Sequence, residues 1–287
     1  MPWCWPPVRI ERAKPLLGTI VSIRAEFEDG DRGEAAVRAA FAEIAELHQL
    51  MSFHSPESDL SRIARGAAAG PVRVDPRTAE VLAFALALSE ESAGVFDPVA
   101  AARAAVDGGA LPRLEAAPKA DPAARWSDVE LDGETVSLRR QAWIDLGGVA
   151  KGYAVDRAVA QLSAGGARQA IVSAGGDLRA SGPEPEAVQL RAPGPDEALI
   201  ELQDAALASS GWAMGGVDTI HLDAACRRMV QAQCFAAVIA EDCMTADALT
   251  KVVLARGEAA GPLLCARKAQ AHLFDPVLGW RHLGSDA

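Results

Sequence analysis

The stretch Ile144-Asp145-Leu146-Gly147-Gly148-Val149-Ala150-Lys151-Gly152-Tyr153-Ala154-Val155-Asp156-Arg157 joins an apolar run, two glycines and a helix-spaced segment. The run Ala142 to Leu146 predicts a short buried strand. Gly147 and Gly148 permit a sharp turn and a close approach of backbone to a ligand. Ala154, Val155, Ala158, Val159 and Leu162 recur at helical spacing, so a helix is expected from Ala150 to Leu162. Gly165-Gly166 should stop it. A second strand is expected at Ala170-Ile171-Val172-Ser173, running into Ala174-Gly175-Gly176-Asp177. This order leaves free N–H groups at a helix N-terminus, where phosphates bind well. Lys151 adds a positive charge there and Asp145 a carboxylate. Neither the dinucleotide fingerprint nor the phosphate-loop motif is present. By pattern alone the stretch is either a phosphate-ligand site or a purely structural crossover.

Upstream, Gly18 to Phe27 reads as a strand turned by Gly30-Asp31-Arg32-Gly33. Glu34 to Met51 is an amphipathic helix with Val37, Phe41, Ile44, Leu47 and Leu50 on one face. Met51 to Ile63 should be a turn and a short helix. Asp75-Pro76 supplies an N-cap and a first-turn proline for a helix to about Ser92, which Gly94 to Pro98 ends. Asp107 to Ala124, rich in Gly, Pro and Ala, reads as a surface linker. Trp126 to Leu131 and Thr135 to Leu138 flank Asp132-Gly133, a hairpin signal. Downstream, strands are expected at Val188 to Leu190, Leu199 to Leu202 and Phe235 to Ala240. Helices should cover Thr245 to Ala255 and Pro262 to Lys268, and Ala271 to Phe274 should be a last strand. The fold class is therefore mixed α+β, in a single domain over residues 1–287 that two lobes could make up.

The chain has 28 Lys+Arg against 39 Asp+Glu, a net charge of −11. That argues against a general nucleic-acid or anionic-membrane binder, but not against a local phosphate site. No apolar run approaches a membrane span. The first residues lack the apolar core of a signal peptide, so the chain as it stands is expected in the cytoplasm, or in the periplasm if a leader precedes it. The cysteines Cys4, Cys226, Cys234, Cys243 and Cys265 form no CxxC pair, and reduced thiols are expected.

Ile144–Ala158 closely resembles the signature of the FAD:protein FMN transferase (ApbE-like) family, and Ala170–Gly182 its second signature at the expected distance. Met51 to Ile63, Gly94 to Pro98, Ala208 to Gly211 and Met244 to Lys251 resemble further motifs in the same order. The resemblance spans roughly Arg9 to Asp275. It implies an ApbE-like architecture and an enzyme that cleaves FAD. FMN would pass to a Ser or Thr hydroxyl of an acceptor flavoprotein, with release of AMP. Some relatives instead hydrolyse FAD to FMN and AMP, and a degenerate relative would only bind the nucleotide.

Carried over by position, the resemblance implies FAD contacts at Asp145 and Lys151. It places Leu17 and Phe53 against the flavin, where the family usually has Met and Tyr. Val95, Phe96 and Asp97 would hold the adenosine end. His221 is a candidate for lining the site and acting as general base. The family's Mg²⁺ takes a backbone carbonyl at Gly148, an aspartate at Asp247, and a threonine one helical turn later. That last position is Lys251 here, with Thr250 one place early. Either Thr250 reaches the metal, or the Lys251 ammonium stands in the metal's place, because a protonated lysine cannot serve as an oxygen ligand. Asp247 is the second candidate catalytic residue. The family's Pro-Arg-Thr-Gly turn near His221 is absent, which implies altered chemistry there.

Overall fold

The computed structural model describes residues 7–53, 55–100, 117–190, 198–211, 222–225, 228–229 and 234–284. The chain forms two units, one of Met1–Glu46, Lys151–Thr219 and Gln231–Ala287, the other of Leu47–Ala150 and Ile220–Val230. In order the elements are β1 (Val8–Leu16), β2 (Thr19–Phe27), α1 (Gly30–Met51), α2 (Asp59–Gly66), β3 (Val72–Arg73), α3 (Pro76–Glu91), β4 (Val129–Asp132) and β5 (Thr135–Leu138). Next come α4 (Ala150–Ala164), β6 (Gln169–Ala174), β7 (Asp177–Ser181), β8 (Glu186–Leu190), β9 (Ala198–Leu202), β10 (Ala206–Gly211), β11 (Leu222–Asp223) and β12 (Arg228–Met229). The chain closes with β13 (Phe235–Ala240), α5 (Cys243–Arg256), α6 (Gly261–Ala266), β14 (Gln270–Asp275) and β15 (Gly279–Leu283). This is the expected α+β class.

The first unit is built on an eight-stranded sheet in the order β1-β2-β6-β7-β10-β13-β14-β15. Every neighbouring pair is antiparallel. The period of two divides its apolar residues between two faces. Val21, Ile23, Ala25, Ala170, Val172, Ala174, Ala236 and Val238 are buried on one face. α5 lies against β10 and β13, and α1 approaches so closely that a side chain at Gly33 would meet Phe27 and Ile10. On the other face Ile171, Leu178, Leu207, Phe235 and Ala237 pack with Leu190, Ile200 and Leu202 of the β8–β9 ribbon. The second unit holds α2, α3 and the small sheet β3-β5-β4.

The structure corrects several sequence readings. Ala142 to Leu146 is buried but is not a strand. Asp145 N–H finds one carbonyl, Pro98 O at 2.8 Å, and no ladder follows. Gly30 to Gly33 is the first turn of α1, not a loop, because Asp29 Oδ1 accepts from Asp31 N–H and Arg32 N–H. Ala208 to Gly211, whose resemblance is to a serine/threonine-glycine turn of the family, lies within β10. Trp126 to Asp128 is a 3₁₀ turn before β4. Residues 107–116 of the expected linker lie outside the described residues. In its remainder Pro118, Lys119, Pro122 and Ala123 are exposed, as a surface linker should be, while Ala120 and Ala124 are buried and Trp143 Nε1 donates to Pro118 O at 2.9 Å. Two edge strands, β1 and β15, were not expected.

Candidate active site

α4 and α5 meet at their N-terminal ends. Gly152 makes this possible, since a Cβ there would lie 2.2 Å from Cys243 O. Its N–H donates to Asp247 Oδ2 at 3.3 Å. One turn further along α4, the Asp156 carboxylate accepts from Cys243 N–H at 2.9 Å and Met244 N–H at 2.8 Å, two of the unpaired donors at the start of α5. Arg179 of β7 holds Asp156 from the other side at 2.7 Å. Asp242 completes the cap by accepting from Thr245 N–H. The first turns of α5 are thereby fixed to α4 and β7.

Within this frame stands a cluster of four charged side chains. Lys151 Nζ, at the start of α4, bonds Asp177 Oδ2 and lies 3.9 Å from Asp247 Oδ2. Lys251 Nζ, one turn after Asp247 on α5, bonds Asp247 Oδ1. Lys251 also donates to Asp247 O at 3.0 Å and to Ser210 Oγ, from β10, at 3.1 Å. Thr250 Oγ1 lies 2.6 Å from Asp247 O and 2.8 Å from Ser210 Oγ. Both carboxylates are fully buried, while the two lysines keep part of their surface in solvent.

The electrostatics follow from burial and pairing. Burial alone would favour the neutral carboxyl of Asp247, but the Lys251 and Lys151 charges hold it below the usual range. Asp177 is pushed up to about 6 by burial and by the Asp247 charge beside it, against the pull of Lys151. Its Oδ1 has no hydrogen-bond partner among the described residues. Burial opposes the Lys151 ammonium, yet Asp247 and Asp177 keep it above its ordinary value. At neutral pH the four groups sum to two positive and two negative charges.

Two tight hairpins flank the cluster. Gly175-Gly176 joins β6 to β7 just before Asp177, with φ of 61° and 105°. Leu17-Gly18 joins β1 to β2, with φ of 55° and 70°. Thr19 touches the Gly175 position, so both turns lie at one end of the sheet. Leu17 is a bulky residue in the left-handed region, an uncommon and costly conformation.

The structure thus gathers Lys151, Asp247, Thr250 and Lys251 and puts Leu17 at a hairpin in the same unit. The second unit holds the other expected contacts. Phe53 stacks tilted on Trp143, with ring centroids 5.9 Å apart, in a cluster with Ala64 and Ala120. Asp145 Oδ1 accepts from Gly147 N–H at 2.8 Å, bracing the turn that carries Gly148 into α4. Asp97 Oδ1 accepts from Val99 N–H at 2.8 Å, while Val95 and Phe96 are buried. His221 lies outside the described residues. Sequence reasoning missed Asp177, Asp156, Arg179 and Ser210. Asp177 was signalled by its place directly after a glycine turn at the end of a buried strand.

Comparison with known proteins bears on this arrangement. The chain matches the ApbE family over residues 17–274. It is 25% identical over 288 residues to a FAD:protein FMN transferase of Vibrio cholerae serotype O1, covering 89% of this chain and 84% of that protein. It is 30% identical over 188 residues to a FAD:protein FMN transferase of Treponema pallidum, covering 60% of this chain and 51% of that one. The match thus spans about half the length of the Treponema relative. In structure, the apo form of the Pseudomonas stutzeri flavinyl transferase ApbE superposes with a TM-score of 0.81 at 19% identity, covering 97% of this chain and 94% of that one. The Vibrio cholerae flavin transferase ApbE also gives 0.81, at 22% identity, covering 96% and 97%. The chain belongs to the ApbE family.

Proposed function

We propose that this protein is an FAD:protein FMN transferase, moving FMN from FAD to a Ser or Thr of an acceptor flavoprotein. The observation that carries the reading is the buried Lys151–Asp177–Asp247–Lys251 cluster in a chain whose relatives bear that activity as their name. In the reaction the acceptor oxygen bonds to the FMN phosphorus. The bond from that phosphorus to the bridging oxygen breaks, and AMP leaves with that oxygen and its electron pair. The hydroxyl proton passes to solvent. Catalysis of this kind is mostly positioning and charge stabilisation. Lys151 and Lys251 supply fixed positive charge, and the buried carboxylates hold both ammonium groups without cost of reorganisation at the moment of reaction.

Family members imply Mg²⁺ bound through Gly148, Asp247 and a threonine. The residues here do not fit it. The ammonium of Lys251 sits on Asp247 Oδ1, and Thr250 turns its hydroxyl to Asp247 O and Ser210. No step is therefore assigned to a metal.

The same departure favours a second reading, an FAD pyrophosphatase or a nucleotide binder without transfer. Incubation with FAD and an acceptor flavoprotein distinguishes them, with AMP read by chromatography and covalent flavin by in-gel fluorescence. Both signals together support transfer. AMP without covalent flavin supports hydrolysis, and neither signal with retained FAD binding supports a binder.

A further inference from the structure

The geometry points to an internal cation site: Lys251 holds the position that a divalent ion would take at Asp247, and so excludes that ion from the pocket. For what the pocket does, the inference rests on the transferase reading. For what it binds, it stands on the local structure.

The oxygens around Lys251 Nζ are of the kinds a hard cation collects. They are a carboxylate oxygen (Asp247 Oδ1), a backbone carbonyl (Asp247 O at 3.0 Å) and a hydroxyl (Ser210 Oγ at 3.1 Å). An ammonium group has three N–H donors, and here each has an acceptor. The i to i+4 spacing on α5 puts Lys251 on the same helix face as Asp247. Both carboxylate oxygens of Asp247 are engaged, since Oδ2 takes the Gly152 N–H at 3.3 Å and lies 3.9 Å from Lys151 Nζ. Thr250 closes the same set through Asp247 O and Ser210. The cluster already balances two ammonium groups against two carboxylates. A divalent ion would have to expel the Lys251 ammonium from a charge-assisted bond to a fully buried partner. The exchange would also leave one more net positive charge beside Lys151.

The pocket then presents two single ammonium charges, each held by a buried carboxylate, in place of one divalent ion. A residue at position 251 that removes the ammonium and offers a hydroxyl should turn the pocket into a divalent-ion site.

The test is direct binding of Mn²⁺ to the full-length protein, read as loss of the free-ion signal in electron paramagnetic resonance. The variants are Lys251→Thr, Lys251→Met and the double variant Lys251→Thr with Asp247→Ala. The parent should bind Mn²⁺ no more tightly than the double variant does. Lys251→Thr should bind one, at least about tenfold more tightly than the parent, a change typical of rebuilt metal surroundings. The double variant should lose the gain. Lys251→Met removes the charge without adding an oxygen. It should fall between parent and Lys251→Thr, and it decides the matter if the threonine variant does not fold. A parent that binds Mn²⁺ as tightly as its Lys251 variants overturns the inference, as does a failure of every folded variant to gain binding. AMP release from FAD, measured alongside, bears only on the transferase reading. Its absence counts against that reading and leaves the Mn²⁺ result to decide this one.

Discussion

Gly152 lacks a side chain because the backbone of α5 occupies the space one would need. A Cβ would lie 2.2 Å from Cys243 O, 2.6 Å from Cys243 C and 2.8 Å from Met244 Cα, all backbone atoms that cannot swing aside. Gly152→Ala should therefore cost about 1–3 kcal/mol, the range for overpacked interiors. A denaturant midpoint equal to the parent's would mean that the two helices do not meet there. Asp177 supplies a second residue-scale prediction. Its carboxyl titrates near 6 in the folded protein and near 3.8 in the unfolded chain. Between these values the folded state binds more protons, so this group's contribution to stability falls as pH rises from about 4 to about 6. Asp177→Asn keeps the shape and removes the titration. The parent should lose stability relative to this variant across that window, measured as the difference in urea midpoints at each pH. A constant difference would place Asp177 in a more solvated setting than the structure gives it.

Among elements, α4 and α5 depend on each other through Asp156. Its carboxylate takes two backbone donors of α5 and the Arg179 guanidinium. Asp156→Ala leaves all three without their anion and should cost about 2–4 kcal/mol. Asp156→Asn can accept one bond through its single amide oxygen and should cost less. Thermal melts of both variants check this ranking, and equal losses would count against the cap. The helices were legible in the sequence because their signals are local: the apolar spacing of α4, the Asp75-Pro76 start of α3, the Thr245 to Ala255 run of α5. The cap was not, since Asp156 and Cys243 are joined only by the fold. Neither were the edges of the sheet. β1 carries Glu11, Arg12 and Lys14 on an exposed strand, so its alternation shows little apolar contrast. Ala142 to Leu146 misled for the opposite reason. It is as apolar as a buried strand, but composition does not say whether a ladder partner lies alongside. At the site, motif order identified Lys151 and Asp247, while the partner of Lys151 emerged only when the hairpin brought Asp177 beside it.

On the scale of the whole molecule, the Leu47–Ala150 segment of the second unit is inserted in sequence between β2 and β6, which pair in one sheet. Glu26 of β2 pairs with Gln169 of β6, and Val21 with Ala174. No local pattern encodes that neighbour relation, because it is fixed by burial of both strands on one face and by the long loop that their pairing closes. The same scale governs how an anionic ligand arrives. The chain carries −11 overall, and the Lys151–Asp177–Asp247–Lys251 cluster is itself balanced at neutral pH. If FAD binds as proposed, neither the far field nor the cluster draws its pyrophosphate in, and the attraction of the lysines acts only at contact. Added salt shortens the screening length from about 30 Å at 10 mM to about 8 Å at 150 mM and weakens the long-range repulsion first. The FAD association rate should therefore rise with salt over that range, by about twofold, while the dissociation rate rises as the contact charges are screened. Stopped-flow flavin fluorescence at several salt concentrations separates the two rates. An association rate that falls steeply with salt would reveal a positive funnel around the site, and the lysines would then steer the ligand from a distance as well as hold it.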